Sequence, residues 1–63
     1  MQVFIAKNDK QLGLCLKLLY SEQVDSQVKL ILTEKNRVNY LITVTVDDET
    51  WVKLDSMYKI LIG

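Results

Sequence analysis

A period-two alternation of apolar residues runs from Val28 to Val46. Val28, Leu30 and Leu32 point one way on the first arm, and Val38, Tyr40, Ile42, Val44 and Val46 do so on the second. Successive side chains of a strand point to opposite faces, so the pattern predicts a β-hairpin with one face in a core. Its register can be argued from the turn. A two-residue loop at Lys35-Asn36 would send the two apolar sets to opposite faces. A three-residue loop at Lys35-Asn36-Arg37 pairs Leu32 with Tyr40, Leu30 with Ile42 and Val28 with Val44, and builds one core face. Such loops need a left-handed residue near their end, and Asn36 tolerates that best.

The same register sets Ile31 directly opposite Leu41 on the other face, where Phe4 can join them if the first strand pairs nearby. That back face is otherwise polar: Lys29, Thr33, Asn39, Thr43 and Thr45.

Ahead of the hairpin, Gln2–Ala6 reads as a strand, with Val3 and Ile5 on one face and Phe4 and Ala6 on the other. Being apolar on both faces, it is expected inside the sheet. Asn8 with Gln11 has the form of a capping box, so a helix is expected from Asn8 or Asp9 to about Glu22 or Gln23. Leu12, Cys15, Leu16 and Leu19 make its buried stripe. Leu14 and Leu18 lie roughly 100–150° from the centre of that stripe. Lys10, Gly13, Lys17 and Ser21 take the wet side. After the hairpin, Asp47 or Asp48 caps a second helix whose apolar stripe is Trp51, Leu54, Tyr58 and Leu61. Residues Tyr58–Ile62 read either as its last turns or as a short fourth strand. Too few residues follow Trp51 for a helix, a turn and a strand, so helix to the end is expected.

The predicted architecture is α+β in the order β-α-β-β-α. It is a single domain over 1–63, a three-stranded sheet with two helices on one face, ferredoxin-like or truncated ferredoxin-like. The order of elements resembles a small bacterial family of signal-transducing proteins with a ferredoxin-like or PII-like fold. Three segments carry the resemblance: Val3-Phe4-Ile5-Ala6-Lys7-Asn8, the Leu-rich helix ending near Ser21-Glu22-Gln23, and Val44-Thr45-Val46-Asp47-Asp48-Glu49. Where that family usually carries a Gly after the first helix, this chain has Val24-Asp25. The resemblance implies a fold and supplies no catalytic residues.

Composition narrows the function. A chain of 63 residues buries only about 60% of the surface its unfolded form exposes, so marginal stability is expected unless something else helps. One Cys permits no internal disulfide, and one Cys with no His gives no tetrahedral zinc set. Self-association is the remaining helper, and an apolar share of 49% suits it. Net charge is zero, and seven of the eight cations are Lys, which argues against a dedicated nucleic-acid binder. Met1 leads straight into an alternating strand with no basic region before an apolar run, and no stretch has the length of a membrane span. With one unpaired Cys, a cytoplasmic protein is expected.

The chemistry of catalysis is thin. No His supplies a base near neutrality, and two glycines make no phosphate-cradling loop. Cys15 sits on a helix stripe and reads as packing, against the alternative of a reactive thiol. Asp47, Asp48 and Glu49 read as helix capping, against the alternative of a weak Mg²⁺ or Ca²⁺ site. Asp55 and Lys59 form an i,i+4 pair. Lys7, Lys10 and Lys17 read as a solvated face, against a nucleic-acid edge, and Trp51, Tyr40 and Tyr58 as packing, against base stacking.

Phe4, Leu14, Leu18, Ile31 and Leu41 are the residues a monomer of this design leaves as an apolar surface, and so the candidate protein interface. The alternative is that all are ordinary core. The expected function is a non-enzymatic interaction or regulatory module without cofactor or metal. It would act as a homo-oligomer, a homodimer in the simplest case, or dock on a larger protein, for example as a phage or accessory inhibitor. The competing reading is a small nucleic-acid-binding protein using the sheet face or the Lys7/Lys10/Lys17 edge.

Overall fold

The computed structural model describes residues 1–63 as β1 (Gln2–Ala6), α1 (Asp9–Ser21), β2 (Ser26–Leu32), β3 (Val38–Val44) and α2 (Asp48–Ile62). The order is the predicted β-α-β-β-α. The sheet has three strands in the order β1-β3-β2, with β3 antiparallel to both neighbours. β1 and β2 are therefore parallel to each other and joined over β3 by α1, a ferredoxin-like arrangement without a final strand. α2 runs unbroken to Ile62, so residues 58–62 are helix.

Both helices start on side-chain caps. The Gln11 N–H donates to Asn8 Oδ1 at 2.8 Å, and the Lys7 N–H donates back to Gln11 Oε1 at 3.0 Å. The box closes one residue earlier than its usual form, on the residue preceding the cap. In α2 the Thr50 N–H donates to Asp47 Oδ1 at 3.2 Å. Hydrogen bonding of the charged form to the Thr50 side chain, and second to this N–H, holds the Asp47 carboxyl below its ordinary range. α1 ends in a Schellman motif: Val24 N–H donates to Leu19 O and Gln23 N–H to Tyr20 O. The motif requires a left-handed residue, and Gln23 takes it with φ 58°.

The hairpin loop has the expected three residues but sits one position earlier, at Glu34-Lys35-Asn36. Asn36 N–H donates to Thr33 O, Thr33 N–H to Arg37 O, and Arg37 N–H to Thr33 Oγ1 as well. Asn36, with φ 56°, is the left-handed residue closing a type I turn. Moving the loop by one residue moves the pairing by two. Leu32 faces Val38, Leu30 faces Tyr40 and Val28 faces Ile42. The assignment of faces survives, because two residues is one full strand period. The expected Ile31–Leu41 pair does not form: Ile31 faces Asn39, and Leu41 faces Lys29 and Ile5.

β1 is an edge strand and not an interior one. The tight hairpin fixes β2 on one side of β3, and β1 occupies the other. At its end the Gln2 side chain extends the ladder, donating to Val46 O at 3.0 Å and accepting from Val46 N–H at 3.3 Å.

The core lies between one sheet face and both helices. It comprises Phe4, Ala6, Ile42 and Val44 from the sheet, Cys15, Leu18 and Leu19 from α1, and Leu54 and Tyr58 from α2. Phe4 is its aromatic centre, with ring centroids 4.5 Å from Trp51 and 5.3 Å from Tyr58. The buried side of α1 is turned toward Leu18, leaving Leu12 and Leu16 partly buried. α1 packs on α2 as well as on β1, and two contact surfaces bury a wider arc than one.

Candidate interaction surface

The five residues of the expected apolar surface separate in the structure. Phe4 and Leu18 are core side chains, 3% and 6% exposed, and offer nothing to a partner. Leu14, Ile31 and Leu41 are half-buried, Leu14 on α1 and the other two on the back of the sheet. Phe4 was expected on that back face. Its register with Ile42 turns it to the helix side, and its neighbours Val3 and Ile5 project from the back instead. The apolar part of the back face is thus Val3, Ile5, Ile31 and Leu41, with Ile5 directly opposite Leu41. Lys29, Gln27, Asn39 and Thr43 share that face.

The larger apolar surface is on the other side, in residues expected to be core. Val28, Leu30 and Leu32 share the helix-side face with Ile42 and Tyr40, yet are 46%, 58% and 68% exposed. The cause is the position of α2. Trp51 and Tyr58 pack on Phe4 of β1, and the Tyr58 hydroxyl donates to the Ile5 carbonyl at 3.1 Å. α2 therefore covers the β1 side of the sheet, with α1 alongside it. β2 packs closely on β3, and the large side chains on its helix-side face remain exposed. Its three large side chains form a stripe along an edge strand, and Val38, facing Leu32, continues it. Alternation along β2 looks the same whether a helix covers it or not, so only the helix placement reveals this surface.

The backbone of β2 is open as well. No side chain hydrogen-bonds to any group from Ser26 to Leu32, and only one side of the strand meets β3. β1, the other edge, has at least its Ile5 carbonyl engaged by Tyr58. An edge strand with unpaired N–H and C=O groups and exposed large apolar residues is a template for pairing.

Several titratable groups have structural roles. Burial pushes the Cys15 thiol up to about 11, which makes it a core side chain with little thiolate near neutrality. The Tyr40 hydroxyl donates to Asp9 at the start of α1, which raises the Tyr40 pKa; burial raises that of Tyr58. Asp47 is the α2 cap, and Asp48 and Glu49 stand in its first turn, where negative charge suits the helix dipole. Lys59 pairs with Asp55 at 3.0 Å, and Lys53 with Glu22, the C-cap of α1, at 3.5 Å. Lys7, Lys10 and Lys17 are exposed and unpaired, and Tyr20 stands exposed near Lys17 on α1.

An open depression of about 610 Å³ lies at the start of β2, walled in part by Gln23, Asp25, Gln27 and Thr43. Asp25 is its one acidic or basic side chain. No helix is long and apolar enough to cross a membrane. No protein-family model, curated protein or solved structure matches the chain.

Proposed function

We propose that the chain is a small non-enzymatic interaction or regulatory module of the cytoplasm. It acts through protein–protein contacts, as a homo-oligomer or by docking on a larger protein, in the manner of a phage or accessory inhibitor. One observation carries this reading: the helix-side stripe Val28-Leu30-Leu32 lies exposed along an unpaired edge strand. Exposed contiguous apolar surface on a small domain marks an interaction site.

The test places a photo-crosslinking residue at position 30 of the full chain and, as a control, at position 17. Discrete protein adducts from position 30 and none from position 17 are expected. Absence of protein adducts from position 30 overturns the reading. A DNA or RNA mobility shift at low salt that is lost when Lys7, Lys10 and Lys17 are changed to Glu would favour the nucleic-acid alternative.

A further inference from the structure

The occupant of the β2 edge can be specified further. We propose that it is the β2 strand of a second copy, paired antiparallel about a two-fold axis at Leu30. This deepens the interaction reading above and rests on it. The result is a continuous six-stranded sheet with all four helices on one side.

The first argument is self-complementarity. A two-fold contact requires one surface to match itself. About an axis at Leu30, Leu30 meets Leu30 of the second copy, and Val28 meets its Leu32. The exposed apolar stripe of each chain then lies against that of the other on the helix side, where 46% to 68% of these side chains is otherwise in water. On the back face Lys29 meets Ile31, so the two lysines are staggered. The second argument is charge. Beyond the strand ends, the same register brings Asp25 of one copy toward Lys35 in the turn of the other, twice by symmetry. Neither residue has an ion-pair partner within its own chain.

Neighbouring registers fit less well. An axis at Lys29 sets the two lysines directly opposite, and like charges facing across strands repel. An axis at Ile31 sets Val28 opposite Glu34. The other edge is a poorer seam, because Tyr58 of α2 occupies the Ile5 carbonyl.

A seam of two strands is small, so association in the micromolar range is expected. Sedimentation velocity of the full chain at low salt, from about 1 to 500 μM, reads it. A mass twice the 7.3 kDa of the chain is expected at the upper end. Leu30→Lys, which brings two like charges to the axis, is expected to abolish dimerisation. Asp25→Lys and Lys35→Asp are each expected to weaken it about tenfold, and the double reversal to restore it. Circular dichroism checks that each variant is folded; all three positions are exposed.

A chain that stays at 7.3 kDa throughout overturns the dimer. So does a dimer that Leu30→Lys leaves intact, or one in which single and double charge reversals behave alike. Monomeric mass with adducts from position 30 to a different protein would refute the dimer and leave the interaction reading standing. Monomeric mass without such adducts would remove both.

Discussion

The Tyr58 hydroxyl on α2 donates to the backbone carbonyl of Ile5 on β1 at 3.1 Å. With the Phe4 ring at 5.3 Å from its own, Tyr58 fastens the last helix over one edge of the sheet. That attachment leaves Val28, Leu30 and Leu32 of β2, at the opposite edge, exposed. Tyr58→Phe keeps the packing and removes the hydrogen bond. A loss of about 1 kcal/mol in unfolding free energy is expected from urea denaturation, with an unchanged m-value. No loss would mean that the hydroxyl does not hold α2.

Two leucines of the apolar pattern have unequal weight. Leu19, 1% exposed, belongs to the shared core, whereas Leu32 is 68% exposed. Leu19→Ala is expected to cost about 2–5 kcal/mol, a large part of the stability of so short a chain. Leu32→Ala is expected to change monomer stability by less than about 0.5 kcal/mol. Denaturation at a concentration below self-association compares them, and equal effects would refute the placement of α2.

Two residues other than Gly hold left-handed backbone, Gln23 with φ 58° and Asn36 with φ 56°. Gln23→Gly relieves the steric cost at the end of α1 and is expected to stabilise by about 0.5–1 kcal/mol. Asn36→Gly is expected to gain only a few tenths, because Asn tolerates the conformation and Gly adds freedom to the unfolded chain. Thermal or urea unfolding of the two variants, ranked against each other, checks this order.

Stability should fall in alkali. The Cys15 thiol is pushed from 9.0 up to about 11, and Tyr58 and Tyr40 are also raised above their ordinary value. Raised acids favour the protonated form in the folded state. Their contribution is complete below the unfolded pKa and is lost as pH rises through the folded one, between about 9 and 11 for Cys15. The urea midpoint is expected to drop across that window. Near neutrality Cys15 is expected to react with a thiol reagent only as fast as the chain opens; rapid stoichiometric labelling of the native protein would contradict its burial.

Acid acts through Asp47. Its carboxyl is lowered by the Thr50 side chain and then by the Thr50 N–H, so its contribution is present above the ordinary carboxylate range and disappears as pH falls through the lowered value. Asp47→Asn is expected to be less stable than the natural chain at neutral pH, and the gap is expected to shrink on acidification. A gap independent of pH would mean that charge plays no part in the cap.

The alternation of Val28–Val46, the Asn8–Gln11 box and the Asp47 cap determined the elements and their order, because strand period, helix period and capping are local. Asn36 held the register too: a left-handed residue at the last loop position places the loop at 34–36. β1 could not disclose its buried face, since Val3, Phe4, Ile5 and Ala6 are apolar on both. Only the packing of Trp51 and Tyr58 on Phe4 turned that face inward and carried α2 away from β2. Burial is a property of what lies across from a side chain. Leu30 has the pattern of a core residue, and the position of a helix distant in sequence leaves it in solvent.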